Sequence, residues 1–147
     1  MEPVTESAAE PAFREITVGS GDAARQIAVL ERAGKGRGIL FLGGYMSNMR
    51  GAKGDALDAY AAATGRPMTR FDYSGHGESG GRFEDGTISR WLEEASAVLD
   101  RAAGAPLILV GSSMGGWIAL LLALAERAAG GGRIAGLVLL APATGMT

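Results

Sequence analysis

The stretch of sequence that decides the fold is Leu107-Ile108-Leu109-Val110-Gly111-Ser112-Ser113-Met114-Gly115-Gly116-Trp117. It opens with an apolar run that predicts a strand buried on both faces, as in a parallel sheet. From Met114 onward, the apolar spacing predicts a deeply buried helix. The residues expected on its inner face are Trp117, Ile118, Leu121, Leu122 and Ala125, and Leu120 and Leu124 extend the apolar surface. The chain is therefore expected to turn sharply from strand to helix at Ser113.

The turn matches the pattern G-x-S-x-G, which is centred on Ser113 and not on its neighbour Ser112. Small residues on either side let the strand and the helix approach closely, so that the serine hydroxyl projects from the carboxyl edge of the sheet. The helix N-terminus adds backbone N–H donors and the positive end of its dipole. The pattern predicts a serine nucleophile. The alternative is a tight turn whose serines only cap the helix.

The rest of the chain alternates between strand and helix patterns. A hairpin of residues 13–18 and 26–30 comes first, with turn residues between them. Further apolar strands are predicted at 38–42, 68–71 and 134–141, and helices at 53–64 and after an N-cap at Thr87. This order predicts an α/β fold, with a mostly parallel sheet, helices on both faces and an N-terminal hairpin. Residues 1–11 are expected to form a disordered acidic tail before one domain over 12–147.

Composition limits the classes of protein to which the chain can belong. A length of 147 residues suits one domain. Fourteen basic and sixteen acidic residues give a net charge of −2, which does not favour nucleic acid as a partner. The absence of cysteine excludes disulfides and thiolate metal sites. The start of the chain carries no signal or transit pattern, and the longest apolar stretch, 117–125, is too short to span a bilayer. We therefore expect a cytoplasmic protein without a membrane span.

Two further motifs identify a family together with the serine motif. The first motif covers the end of the first central strand and the loop after it: Phe41-Leu42-Gly43-Gly44-Tyr45-Met46-Ser47-Asn48-Met49-Arg50-Gly51. The second covers the end of the next central strand and its loop: Arg70-Phe71-Asp72-Tyr73-Ser74-Gly75-His76-Gly77-Glu78-Ser79. In order and spacing, the three motifs resemble one α/β-hydrolase group across roughly residues 38–141. That group contains the mitochondrial acyl-glucuronide esterase and palmitoyl-protein thioesterase of animals and its bacterial relatives. One departure is Gly43, where the group typically has proline.

The resemblance implies hydrolysis of carboxylic esters or thioesters through an acyl-serine intermediate, with small molecules or acylated proteins as substrates and without a metal or cofactor. Ser113 would attack the carbonyl carbon, and the backbone N–H groups of Tyr45 and Met114 would form the oxyanion hole. His76 is implied to be structural. We expect the carboxylate of Asp72, in the same loop near the site, to bind the backbone of that loop.

The catalytic acid and base that the resemblance implies are missing. After Ser113 the chain has no histidine, and Glu126 is its only acidic residue there. A serine hydroxyl needs a base, and in this fold the acid and the histidine follow the serine. His76, the single histidine, is the alternative base. We expect instead a domain truncated after about six strands, with little turnover by itself and an open sheet edge that favours association.

Two other classes of function compete with the hydrolase. One is a non-catalytic fragment or pseudo-hydrolase that binds a partner along the open edge. The other is a nucleotide-binding α/β domain, which is disfavoured because the chain lacks G-x-x-x-x-G-K-[ST].

The remaining acidic pairs, methionines and tryptophans have simpler interpretations. The pairs Glu84-Asp85 and Glu93-Glu94 are expected to be solvated, so they predict no glycosidase or metal site. Four methionines are candidates either for an acyl pocket or for ordinary core packing: Met46, Met49, Met68 and Met114. Trp91 and Trp117 are expected in the core.

Overall fold

A computed structural model of the chain describes residues 9–102 and 104–141. The strands are β1 (Ala12–Val18), β2 (Arg25–Arg32), β3 (Ile39–Leu42), β4 (Met68–Phe71), β5 (Leu107–Ser112) and β6 (Ile134–Leu140). The helices are α1 (Ala52–Thr64), α2 (Ile88–Ala102) and α3 (Met114–Ala128). Short 3-10 turns lie at Gly21–Ala23 and Phe83–Asp85.

All six strands belong to one sheet, in the order β1-β2-β4-β3-β5-β6. The hairpin strands β1 and β2 are antiparallel, and β2 also runs antiparallel to β4. From β4 through β3 and β5 to β6, all pairs are parallel. This confirms the predicted α/β fold with an N-terminal hairpin. The parallel strands β3, β4 and β5 end at the same edge, so the three loops that carry the sequence motifs meet there.

The central strands are buried on both faces, as their apolar runs predict. Leu40, Leu42 and Leu109 belong to the larger core cluster, which includes residues of α2 and α3. Phe41 and Val110 point to the other face, where they pack with Ala61 of α1. Thr87 caps α2 as predicted, because its hydroxyl accepts a hydrogen bond from the Arg90 N–H at 3.1 Å.

Helix α1 buries only part of the face that its apolar spacing indicates. Ala56, Leu57, Tyr60 and Ala61 share one face at helical spacing. Ala61 is buried and Leu57 packs against the core, whereas Tyr60 is 51% exposed and Asp58 is buried. The Asp58 carboxylate accepts hydrogen bonds from Arg32 at 2.7 and 2.8 Å. These bonds lower the pKa of Asp58. A long-range ion pair therefore orients α1 together with its apolar contacts.

Helix α3 and strand β6 expose more apolar surface than their apolar sequences predict, and α3 is not buried on all sides. Leu124 of α3 is 55% exposed because only one side of this helix packs on the sheet. Among the described residues, β6 pairs with β5 alone, and the large apolar side chains on it that remain exposed are Leu137, Val138 and Leu140. Association through this edge stays a prediction.

The described residues begin at Ala9, within the predicted tail. Most of the predicted tail 1–11 lies outside the described residues, although Arg32 donates a hydrogen bond to the carbonyl of Ala9. No helix in the part of the chain that the structure describes is long and apolar enough to cross a membrane.

The prediction that Glu93 and Glu94 are both solvated is wrong for Glu94. This side chain is fully buried, and its carboxylate accepts hydrogen bonds from Arg25 Nε at 2.8 Å and from the Ser74 N–H at 2.7 Å. The neighbouring Glu93 side chain is 55% exposed and binds another nitrogen of Arg25 at 2.7 Å. Glu94 thereby ties the hairpin and α2 to the loop that follows β4.

We expect Glu94→Ala to lower the free energy of unfolding by about 3–5 kcal/mol, because it leaves the Arg25 guanidinium buried without its main partner. Chemical denaturation measures this change. The matched control is Glu93→Ala, which removes an exposed partner of the same arginine and should cost less than about 1 kcal/mol. Equal losses in the two variants would contradict the assignment.

Candidate active site

Ser113 lies between β5 and α3 with backbone angles of φ 56° and ψ −121°. A positive φ is rare for a residue with a side chain, and such strain persists only where the surroundings impose it. The Ser113 N–H is held by the carbonyl of Leu140, at 2.9 Å. Ser113 is exposed, whereas Ser112 and Met114 on either side are buried. The turn therefore presents one serine side chain to solvent at the carboxyl edge of the sheet.

Two glycines make this turn possible. A Cβ on Gly111 would overlap the carbonyl of Gly115, and a Cβ on Gly115 would overlap the carbonyl oxygens of Leu42 and Gly43. The strand before Ser113 and the helix after it therefore approach each other, and the exit of β3, more closely than any side chain allows. The G-x-S-x-G spacing corresponds to a steric requirement in this structure.

The loop after β3 runs directly past Ser113. An added Cβ on Gly44 would lie 3.4 Å from the Ser113 Cβ, which is ordinary contact distance. The Ser47 N–H donates to the Gly44 carbonyl at 3.2 Å, so Gly44 to Ser47 form a turn, in which Met46 has a φ of 60°. Tyr45 follows Gly44 in this turn, and Met114 begins α3, where first-turn N–H groups lack helical acceptors. The structure thus brings Tyr45 and Met114 to the same edge as Ser113.

Asp72 connects the loops after β3 and β4. Its buried carboxylate accepts hydrogen bonds from the Met49 N–H at 2.7 Å and the Glu78 N–H at 2.9 Å. Burial raises the pKa of Asp72, and these two hydrogen bonds oppose the rise. Gly77 has no room for a side chain, because a Cβ there would overlap this carboxylate. Asp72 therefore holds backbone groups of both loops, and no hydrogen bond joins it to Ser113.

His76 is buried and binds backbone groups through both ring nitrogens. Its Nδ1 lies 3.0 Å from the Ser74 carbonyl oxygen, and its Nε2 accepts a hydrogen bond from the Met46 N–H at 3.0 Å. Because a carbonyl only accepts and an N–H only donates, the imidazole is neutral with its proton on Nδ1. No hydrogen bond joins His76 to Ser113 in this arrangement.

Glu126, the one acidic residue after Ser113, lies near the far end of α3. Its carboxylate accepts hydrogen bonds from Arg133 Nε at 2.9 Å and Nη2 at 2.8 Å. These bonds lower the pKa of Glu126 to about 2. Glu126 is therefore an ion-pair residue at the opposite edge of the sheet from Ser113.

An aromatic groove of about 530 Å³ opens beside Tyr45 and Met114. Its apolar lining consists of Tyr45, Phe83, Ile88, Trp91, Met114 and Trp117. Trp91 is buried as predicted, but Trp117 is only half-buried. Of the four methionines, Met49, Met68 and Met114 are core residues and Met46 is exposed, and only Met114 lines this groove.

Three residues that shape the site are not indicated by the sequence patterns. Tyr73 donates a hydrogen bond from its hydroxyl to the Gly43 carbonyl at 3.1 Å. Glu94 binds the Ser74 N–H, and Phe83 packs against His76 with their ring centroids 5.3 Å apart. Tyr73 lies inside the family motif of residues 70–79, and this position is a usable signal. Phe83 and Glu94 act through partners distant in the chain, which local patterns do not show.

The sequence model of the family described as "Serine aminopeptidase, S33" matches residues 39–147, and the chain belongs to this family of hydrolases. The human protein named palmitoyl-protein thioesterase ABHD10, mitochondrial, is 41% identical over 100 residues, which cover 68% of this chain and 33% of the human protein. The mouse protein of the same name is 45% identical over 93 residues, which cover 63% and 31%. Both relatives are named as mitochondrial proteins, so the cytoplasmic location expected for this chain stays a prediction.

Solved structures agree on the α/β-hydrolase fold. A putative hydrolase from Agrobacterium vitis S4 aligns with a TM-score of 0.87 and 51% identity, covering 92% of this chain and 54% of that structure. Mouse α/β-hydrolase domain-containing protein 10 aligns with a TM-score of 0.76 and 34% identity, covering 86% and 48%. The chain thus spans about a third of the curated relatives and about half of these structures.

We expect Gly115→Ala to lower the free energy of unfolding by about 1–3 kcal/mol or more, because its methyl group would overlap two carbonyl oxygens of the β3 exit. Thermal or chemical denaturation measures the loss. Gly132→Ala is the matched control, since an added Cβ there meets nothing within 4 Å. It should change stability by no more than about 0.5 kcal/mol. A tolerated Gly115→Ala would contradict the close packing.

Proposed function

We propose that this chain carries the nucleophile and the oxyanion hole of a serine hydrolase that cleaves carboxylic esters or thioesters. The observation that carries the proposal is the exposed Ser113, held at a φ of 56° on the turn from β5 to α3. This strained backbone conformation directs the Ser113 hydroxyl away from the sheet, where a substrate can reach it.

In the proposed reaction, Ser113 Oγ attacks the carbonyl carbon of the substrate and gives up its proton to a base. The carbonyl oxygen becomes an oxyanion, which accepts hydrogen bonds from the Met114 and Tyr45 N–H groups. The tetrahedral intermediate then collapses and expels an alcohol or a thiol, which takes a proton. Water attacks the acyl-serine in the same way and releases the carboxylic acid. No metal or organic cofactor takes part.

The base for this reaction is not His76, since backbone groups occupy both of its ring nitrogens. Glu126 is equally unavailable, because it is paired with Arg133 at the opposite edge of the sheet. We therefore propose that the acid and the histidine of the triad come from sequence outside these 147 residues. The chain by itself should then turn over slowly, with catalysis from the oxyanion hole alone.

The aromatic groove favours an apolar acyl group over an aminoacyl group. An aminopeptidase, the activity in the family description, must bind the free ammonium group of its substrate, for which a carboxylate is the usual partner. The one acidic residue that lines this groove is Glu84, whose side chain is largely exposed and lies 3.6 Å from Arg82. Esters or thioesters with apolar acyl groups therefore fit the site better than aminoacyl substrates do.

A fluorophosphonate probe tests the nucleophile. We expect it to label Ser113 in the protein that includes the sequence encoded after Thr147, with loss of labelling in Ser113→Ala. The 147 residues without that sequence should react on the order of 10⁴-fold more slowly or worse, because the base is missing. Mass spectrometry locates the label.

Ser112→Ala is the matched control for this experiment, because it changes the neighbouring, buried serine and should keep the label. An absence of label in the extended protein would refute the hydrolase. A natural stop codon directly after Thr147 would instead favour the pseudo-hydrolase that binds a partner along β6.

Intrinsic fluorescence tests the acyl groove separately from catalysis. The chain has two tryptophans, and both line the groove. We expect fatty acids of increasing length to change this fluorescence with increasing affinity, since each buried CH₂ contributes about 0.8 kcal/mol. Trp117→Ala should weaken binding at least about tenfold. Alanine amide is the control ligand, and tighter binding of it than of a fatty acid would favour the aminopeptidase.

A further inference from the structure

We propose that His76 is a positioning residue for the loop after β3, residues 43–51, which carries Tyr45 and is called the oxyanion loop below. His76 fixes this loop through the Met46 N–H and thereby sets the direction of the Tyr45 N–H. Its significance for catalysis rests on the proposed hydrolase function. In this role His76 acts as one tautomer, through one hydrogen bond, on the segment that carries the Tyr45 N–H.

The first support is the shape of the oxyanion loop. Tyr45 lies inside the turn from Gly44 to Ser47, whose Ser47–Gly44 hydrogen bond is long at 3.2 Å. Met46, the next residue, has a φ of 60° and a side chain that is largely exposed. Neither its own conformational preference nor side-chain packing therefore holds Met46 in place. The 3.0 Å hydrogen bond from its N–H to His76 Nε2 supplies the missing restraint.

The second support is the way in which His76 itself is held. Its Nδ1–H donates to the Ser74 carbonyl, which also accepts a hydrogen bond from Trp91 Nε1 at 3.3 Å. The Ser74 N–H in turn donates to the buried Glu94. Four aromatic rings surround the imidazole, with centroid distances from 5.3 to 6.4 Å, and they belong to Tyr45, Tyr73, Phe83 and Trp91. The ring is thus fixed in position and in tautomer before it meets Met46.

These contacts place the Tyr45 peptide between two restraints. On one side, Gly44 lies against Ser113. On the other side, Met46 is bound to His76. Since an oxyanion donor acts only when it is aimed in advance, loss of the second restraint should reduce reactivity without unfolding the domain. A histidine can therefore matter for this reaction without transferring a proton.

Nuclear magnetic resonance tests the hydrogen bond directly, because His76 is the only histidine among the 147 residues. We expect an unprotonated Nε2 and a scalar coupling across the N–H···N hydrogen bond from Met46. In His76→Phe, the Met46 amide should exchange with solvent about five- to tenfold faster, because it loses its acceptor. His76→Gln should restore slow exchange, because its side-chain oxygen can accept at the position of Nε2. Leu107→Ala is the matched control, because it removes buried side-chain atoms at the start of β5, at the opposite edge of the sheet from His76.

A protonated Nε2, an absent coupling or unchanged exchange in His76→Phe would overturn the proposal. Should His76→Phe fail to fold, the coupling in the wild type and the exchange in His76→Gln still decide it. Fluorophosphonate labelling of the extended protein gives the kinetic consequence, with His76→Phe slower on the order of 10²-fold and His76→Gln closer to the wild type. If the wild type takes no label, the proposed hydrolase fails, whereas the coupling and exchange measurements keep their meaning.

Discussion

The constraint on which this structure depends is the absence of space between the start of α3 and the end of β3. Gly115 lies against the carbonyls of Leu42 and Gly43 so closely that no Cβ fits. This packing draws α3 over the sheet immediately after β5 ends, and the chain can make that turn only with Ser113 at a positive φ. The exposure of the serine and its nearness to Gly44 are consequences of the same contact.

Buried polar side chains then fix the loops that surround Ser113. Asp72, His76 and Glu94 are all buried, and each accepts a hydrogen bond from a backbone N–H of a loop. Loops have few apolar contacts to hold them, so charged or aromatic groups that satisfy the backbone take that role. Burying a polar or charged group without a partner costs free energy, and hydrogen bonds from other parts of the chain offset that cost for each of these groups. The loops around Ser113 are therefore held by hydrogen bonds that each join two separate segments of the chain.

Family membership and fold agree with this local arrangement, but the family indicates a class of reaction, whereas the fold alone does not. The family comprises hydrolases, and the fold is common to structures with many different names. Ser113, the oxyanion loop and the aromatic groove make the proposal specific to esters or thioesters with apolar acyl groups. These features lie within a chain that spans about half of the solved structures it matches.

The sequence by itself determined the order of strands and helices, the turn at Ser113 and the presence of glycine beside it. Those features are local, since they follow from apolar periodicity and from residues that only a tight turn requires. The same reasoning failed for Glu94, whose partner Arg25 lies 69 positions away. It also missed the buried Asp58 of α1, whose partner Arg32 lies 26 positions away.

Only the tertiary structure decided which polar groups are buried and what they bind. It joined Asp72 to Met49 and His76 to Met46, contacts between two loops that no spacing in the sequence encodes. The physical reason is that a hydrogen bond between distant segments depends on how the whole sheet brings their ends together. The turn at Ser113, in contrast, needs only its own neighbours in the chain.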